Sequence, residues 1–128
     1  MILDTHAWIF YLTRKPLSKA SLRKIQSSSI GIASVTLWEA ALLIQTDRIR
    51  IQGSMKDWLN TAIARSRVRV DALDADIAQE SVRLTPILRD PADCQIVGTA
   101  LVRSVPLVTR DARMIEASGH LGLTIIEA

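Results

Sequence analysis

Three acidic residues, two that follow predicted strands and one at a helix start, are the first candidates for chemistry. Asp4 follows the apolar run 1–3, Asp111 follows the strand pattern of 106–109, and Asp93 lies in the first turn of a predicted helix. In open parallel sheets, ligands bind beyond the carboxyl ends of the strands, where loops and helix N-termini gather. The sequence therefore predicts carboxylates along one edge of a sheet.

Each of these acids also has a simpler structural explanation. An acid between a strand and a helix, such as Asp4 or Asp111, is often only the N-cap of that helix. Asp93 is an acid in a first helical turn, where the helix dipole favours it, and Asp90 is the better N-cap there. Taken singly, the three positions leave both interpretations open.

Glu39 is harder to explain as a structural residue. Its helical neighbours at three and four positions are mostly apolar: Val35, Thr36, Leu42 and Leu43. The side chain therefore projects from the apolar stripe of its helix. An ionised carboxylate in that environment is costly unless a cation or hydrogen-bond donors compensate it, and a single arginine partner would also suffice.

Several carboxylates that converge without lysines among them repel one another. A hard divalent cation with oxygen ligands relieves the repulsion, and such a site suits Mg²⁺ or Mn²⁺. A metal ion held by acids and open to water can activate that water and neutralise charge on a phosphodiester.

Strand and helix patterns alternate along most of the chain. The predicted strands are 1–3, 30–33, 68–71, 106–109 and 123–128. Helical patterns lie between them, and Ser34 or Thr36 is the expected cap of the helix that carries Glu39. This alternation predicts a three-layer α/β/α sandwich with a central parallel sheet.

Composition bounds the class of protein. The chain has 128 residues with 48% hydrophobic and 23% charged, which fits a single folded domain over 1–128. No apolar run reaches the roughly 20 residues of a membrane span. With the single cysteine Cys94, this favours a cytoplasmic protein. The net charge is +3, and twelve of the sixteen basic residues are arginine. This charge is consistent with a polyanionic partner and equally with a basic surface that is simply solvated.

Four segments together resemble the PIN domain, specifically the VapC type of toxin. They are MILDTHAWI, SVTLWEAAL, RDPADCQIVGTA and LVTRDARM, in the family's order and spacing, and the likeness covers the whole chain. The combination is far more specific than any one segment. The chain departs from this subgroup at Cys94, where a basic residue is usual, which puts a phosphate contact from that position in doubt.

The resemblance assigns roles to particular residues. Asp4, Glu39 and Asp93 match the family's three metal-site acids, and Asp111 matches its more variable fourth position. The supporting positions are Thr5 and Thr109, which match assisting hydroxyls, and Asp90, which is either a helix cap or a ligand acting through water. The site residues so implied are Asp4, Thr5, Glu39, Asp90, Asp93, Thr109 and Asp111.

The resemblance also implies a function and partners. It implies an Mg²⁺- or Mn²⁺-dependent endoribonuclease that acts on RNA as the toxin of a toxin–antitoxin pair. A cognate antitoxin and a homodimer are the implied protein partners. A stand-alone RNA-processing nuclease without an antitoxin is the alternative. A chain that kept the fold only to bind partners is disfavoured, because all four acids are retained.

Other residues and other classes of protein remain to be compared with this interpretation. Arg110, next to Asp111, is a candidate phosphate contact or an ordinary surface arginine. His6 is expected at the surface, and its place two residues from Asp4 leaves a position in the cleft as the alternative. A phosphoacceptor receiver domain needs a late lysine, and none follows Lys56. A haloacid-dehalogenase phosphatase needs an aspartate where His6 stands. A nucleotide-binding module needs a glycine-rich turn after the first strand, which is absent.

Overall fold

Five short strands form one parallel sheet in the computed structural model, which describes residues 1–128. The strands are β1 (Ile2–Leu3), β2 (Gly31–Ala33), β3 (Arg69–Asp71), β4 (Leu107–Thr109) and β5 (Ile125–Glu127), in the spatial order β3-β2-β1-β4-β5. All four pairings are parallel. The predicted parallel sheet is therefore confirmed.

Eight helices connect and flank the strands. They are α1 (Thr5–Thr13), α2 (Lys19–Gln26), α3 (Ser34–Gln45), α4 (Met55–Ser66), α5 (Ala75–Arg83), α6 (Thr85–Leu88), α7 (Pro91–Arg103) and α8 (Ala112–Leu121). No helix combines the length and the apolar character that crossing a bilayer requires.

Apolar side chains pack on both faces of the sheet. Because successive strand residues point to opposite faces, Leu3 and its neighbour Ile2 belong to different clusters. Leu3 packs with the fully buried Trp8 of α1 and with residues of α2 and α4. Ile2 packs on the other face with residues of α7 and α8, including Ile96 and Met114. Helices on both faces confirm the predicted α/β/α layering.

Strand register brings the carboxyl ends of the central strands together. Leu3 of β1 pairs with Ile32 of β2 on one side and with Val108 of β4 on the other. A helix begins one to three residues after each of these three strand ends. The residues that follow the strands, Asp4 among them, therefore lie at one edge beside three helix N-termini.

The predicted cap of α3 is wrong. The helix begins at Ser34, immediately after β2, and its N-cap position is Ala33, which makes no side-chain capping bond. The hydroxyl of Thr36 instead lies 3.2 Å from that of Thr5 in the neighbouring helix. The strand runs directly into the helix, so no polar residue precedes the first turn.

Other helix starts agree with the sequence patterns. Asp74 caps α5 by accepting from the backbone N–H of Ile77 at 2.9 Å. Asp90 caps α7, with Pro91 in the first turn. Helix α8 extends further than the predicted segment ARMIEA, to Leu121, and its C-cap is Gly122, whose φ of 69° favours glycine.

Helices α5 and α7 approach each other closely at Gly98. A Cβ placed on Gly98 would lie 2.8 Å from Ser81 Oγ and 3.3 Å from Ser81 N. The Ser81 hydroxyl donates to the carbonyl of Ile77 at 2.6 Å and is buried. The absence of a side chain at Gly98 therefore sets the distance between the two helices.

Gly98→Ala should destabilise the protein, because either Ser81 must give up its hydrogen bond or the helices must separate. We expect a loss of about 1–3 kcal/mol in the free energy of unfolding, measured by thermal or urea denaturation. Gly119→Ala in α8 is the matched control, since a Cβ there meets nothing within 4 Å. That variant should gain up to about 1 kcal/mol from helix propensity. Equal effects at both positions would contradict the packing argument.

Candidate active site

Asp4 is buried at the carboxyl end of β1 and is held by two donors. Its Oδ1 accepts from the backbone N–H of Ala7 at 2.7 Å, which makes it the N-cap of α1. Its Oδ2 accepts from the hydroxyl of Thr109, the last residue of β4. Burial raises the pKa of Asp4 above its usual range, and the charge of Asp111 adds to that shift.

Glu39 is joined to α1 by a side-chain hydrogen bond. The Thr5 hydroxyl donates to Glu39 Oε1 at 2.5 Å across 34 positions of sequence. Burial raises the pKa of Glu39, and the charges of Asp90 and Asp4 raise it further. None of the ion pairs in the structure involves Glu39. The compensating group is a hydroxyl, so the arginine-partner alternative is excluded.

Asp93 is the least compensated acid. Its side chain is 11% exposed, and the nearest cationic atom is Arg113 Nη2, at 4.0 Å from Asp93 Oδ2. No hydrogen bond reaches its carboxylate. Burial raises the pKa of Asp93 to about 7, and the charges of Asp90, Asp111 and Glu39 contribute to the rise.

Asp111 and Asp90 both cap helices, as the simpler interpretation holds. Asp111 Oδ1 accepts from the backbone N–H groups of Arg113 and Met114 at 2.9 and 3.3 Å. Asp90 Oδ1 accepts from the backbone N–H groups of Ala92 and Asp93 at 2.8 and 3.2 Å. Each cap leaves its Oδ2 without a hydrogen bond.

The structure brings all five predicted acids into one electrostatic cluster at the carboxyl edge of the sheet. The charge of at least one other acid acts on each of Asp4, Glu39 and Asp93. Each of these interactions raises the pKa of the acid on which it acts. As the side chains stand, no three of the histidine, cysteine and acidic groups lie close enough together to hold a metal ion. The acids are neighbours, but they do not form a complete coordination shell.

Arg113 and His6 flank the acids, and the sequence favours the surface for His6 and assigns no role to Arg113. Arg113 lies beside Asp93, and exposed His6 is close enough for its charge to lower the pKa of Asp4 and of Glu39. The spacing of Arg113, two residues after the capping Asp111, places it in the first turn of α8. That position is the sequence signal that could have identified it.

Arg110 is anchored away from the acids. Its Nη2 donates to the carbonyls of Pro16 and Ala128 at 2.9 and 3.3 Å, and the guanidinium lies 4.8 Å from the centre of the Phe10 ring. Its role as a phosphate contact stays a prediction. Cys94 is 1% exposed and packs in the core, as expected of a passive helix residue.

A doubly wound parallel sheet with a carboxylate cluster at its switch from β1 to β4 defines the class of fold and site. The PIN domain model matches residues 1–119, so the chain belongs to the PIN domain family.

Comparisons with individual proteins agree with this assignment. The chain is 28% identical over 118 residues to Ribonuclease VapC22 of Mycobacterium tuberculosis, covering 89% of this chain and 88% of that protein. DNA-bound VapBC from Salmonella typhimurium superposes with a TM-score of 0.69 at 23% identity, covering 98% and 95% of the two chains. FitAcB from Neisseria gonorrhoeae gives 0.67 at 18% identity, covering 98% and 96%.

Asp93→Asn should stabilise the metal-free protein, and the gain should depend on pH. The pKa of Asp93 is about 7 in the folded state against an ordinary value of 3.8, so the folded state holds its proton more tightly than the unfolded state. Stability is therefore lost as pH rises from about 4 to about 7, and no more is lost above that. The asparagine variant lacks this loss. Melting temperatures in EDTA should diverge between about pH 4.5 and 7.5.

Asp57→Asn is the matched control, because Asp57 occupies the same third position in the first turn of α4 but is exposed. That variant should lose a few tenths of a kcal/mol through the helix dipole. Its difference from the parent should stay constant over the same pH range. If the melting temperatures of Asp93→Asn and of the parent instead change with pH in parallel, the acids are not coupled as described.

Proposed function

We propose that this chain is a metal-dependent endoribonuclease that acts as the toxin of a toxin–antitoxin pair. In this proposal Asp4, Glu39, Asp93 and Asp111 hold the divalent cation. The observation that carries the proposal is the group of mutually repelling carboxylates at the sheet edge of a PIN domain. Such an arrangement is unfavourable in itself and is relieved by a cation.

The chemistry of the donors fits Mg²⁺ or Mn²⁺. All the candidate ligands are carboxylate oxygens, which hard divalent cations prefer. Asp4, Glu39 and Asp111 are each tied to a neighbouring helix or hydroxyl, whereas the Asp93 carboxylate has no hydrogen bond to break. Completing the coordination shell requires side chains to move, and Asp93 is the freest to do so.

The protein's own residues fix the orientation of the site. Thr109 and the Ala7 amide hold both oxygens of Asp4, while Thr5 holds Glu39. These contacts preorganise the carboxylates on rigid elements, which keeps their geometry during the reaction. When bound, a divalent cation supplies an activated water and neutralises the phosphodiester charge. Asp90 positions Asp93 by capping its helix.

The similarity to a ribonuclease and to proteins of toxin–antitoxin complexes supports the proposed toxin role. Ribonuclease VapC22 is named for its activity, and the superposed structures include VapBC and a toxin–antitoxin complex from Klebsiella pneumoniae. An antitoxin is accordingly the proposed protein partner and RNA the proposed substrate. A neighbouring gene for a short DNA-binding protein that inhibits cleavage would support the toxin role. A nuclease that no neighbouring gene product inhibits would instead be a stand-alone RNA-processing enzyme.

The amide variants Asp4→Asn, Glu39→Gln and Asp93→Asn should each abolish RNA cleavage, because each loses a charged metal ligand. We expect at least a roughly 100-fold loss of activity on total RNA, and about 10-fold for Asp111→Asn, because Asp111 matches the family's more variable fourth position. Asp57→Asn should cleave like the parent. Circular dichroism must show that all variants are folded. Retained activity in Asp4→Asn and Asp93→Asn together would contradict the site.

Metal-dependent melting tests the same site without substrate. Mg²⁺ or Mn²⁺ at about a hundredfold excess over its dissociation constant should stabilise the parent by about 2.7 kcal/mol. Asp93→Asn should gain much less, which reverses the order expected in EDTA. A parent whose melting temperature does not move with either ion would refute the cation site, whatever its activity.

Association of two chains is a further part of the proposal. Several large apolar side chains are exposed, namely Trp38 at 60%, Val82 at 68%, Leu73 and Ile87 at 51%, and Leu42 at 37%. Exposed apolar side chains of this kind often mark protein interfaces. Light scattering after size-exclusion chromatography should give about twice the chain mass of 14.1 kDa. A strict monomer at micromolar concentration would contradict the dimer.

A further inference from the structure

Arg113 is placed over the carboxylate cluster by the start of α8. Its backbone N–H donates to Asp111 Oδ1 at 2.9 Å, so the main chain is fixed beside the acids. Its Nη2 lies 4.0 Å from Asp93 Oδ2 and 3.7 Å from Asp111 Oδ2. The side chain is nevertheless 71% exposed. Arg113 is therefore a solvated cation that stands at the rim of the site.

The guanidinium of Arg113 is not committed to any fixed partner. Both distances to carboxylate oxygens exceed hydrogen-bond length, and its side chain makes no hydrogen bond in the structure. Arg103 differs, because its guanidinium donates to Asp71 at 3.0 Å and to Asp74 at 3.2 Å. Arg110 differs too, because two backbone carbonyls hold it. Of these three arginines, only Arg113 is free to change partners.

The electrostatic interactions of Arg113 would change when a divalent cation binds the carboxylates. Without metal, its guanidinium lies within 4.0 Å of carboxylate oxygens of both Asp93 and Asp111, so its charge opposes their mutual repulsion. A divalent ion held by the same carboxylates would neutralise them in its place and would repel the guanidinium. A planar guanidinium beside such an ion matches the oxygens of a phosphodiester, which it can contact through two parallel N–H donors.

We propose that Arg113 changes partners in this way: it neutralises Asp93 and Asp111 in the metal-free protein and contacts the RNA phosphate when metal is bound. Arg113 thus becomes a substrate-binding residue of the site, a role that the sequence pattern suggested for Arg110. The inference rests on the proposed ribonuclease function for its second half. The first half concerns the protein and the metal alone.

The first experiment measures Mn²⁺ binding by calorimetry on the EDTA-treated protein without RNA. Arg113→Ala removes a competing positive charge, so it should bind Mn²⁺ about 2- to 5-fold more tightly than the parent. Arg113→Lys keeps the charge and should bind like the parent. Arg83→Ala is the matched control, because Arg83 is also 71% exposed and pairs only with Glu80 on α5. Equal Mn²⁺ affinity in Arg113→Ala, Arg83→Ala and the parent overturns the counter-ion role.

The second experiment follows cleavage of a fluorescently labelled RNA oligonucleotide at saturating Mn²⁺. Arg113→Ala should raise KM roughly tenfold, with a smaller change in kcat. The slope of log kcat/KM against the logarithm of the salt concentration should become less steep by about 0.7. This is the change for one lost phosphate contact on a single strand. Arg113→Lys should recover the salt dependence but only part of KM, since it lacks the planar fork. Arg83→Ala should match the parent.

The outcomes separate this inference from the function on which it rests. An unchanged KM and salt dependence in Arg113→Ala, with a parent that cleaves, overturn the phosphate contact and leave the ribonuclease intact. The phosphate contact is likewise overturned if Arg110→Ala, and not Arg113→Ala, raises KM. A parent that cleaves no RNA overturns the proposed function and the phosphate contact together. The Mn²⁺ measurement then still decides the counter-ion role.

Discussion

Repulsion among carboxylates at the carboxyl edge of the sheet is the constraint to which the surrounding structure responds. Parallel pairing of β1 with β2 and β4 brings the residues after those strands together whatever their charge. Burial then raises the pKa of Asp4, Glu39 and Asp93, and the neighbouring acids raise it further. The strands and helices must hold these groups against an unfavourable free energy.

The protein compensates the acids unequally. Capping amides and threonine hydroxyls satisfy Asp4 and Glu39, so their orientation is fixed by rigid elements. Asp93 receives no donor and keeps a pKa of about 7. In the proposed cation site Asp93 is the group left free for the ion, and functional sites commonly carry such a cost in stability. The uneven compensation is thus part of how the fold prepares the site.

Two arginines near the site, Arg110 and Arg113, differ in the groups that surround them. Arg110 and Arg113 are three residues apart and of the same type, and adjacency to Asp111 favours Arg110 when only the sequence is considered. The carbonyls of Pro16 and Ala128 and the ring of Phe10 hold Arg110, which leaves Arg113 beside the acids. Those partners lie up to 94 positions away in sequence, so no local pattern shows that Arg110 is held away from the acids.

Local patterns determined the alternation of strands and helices, the acids at the strand ends, and the caps at Asp74 and Asp90, because each depends on neighbours within a few residues. Only the tertiary structure decided that α3 begins without a polar cap, that a hydroxyl of Thr5 and not an arginine satisfies Glu39, and that Asp93 is left without a donor. The first follows from the point at which β2 ends, and the other two follow from contacts between residues distant in sequence. Strand order and helix packing determine those contacts, and the periodicity of the sequence does not reveal them.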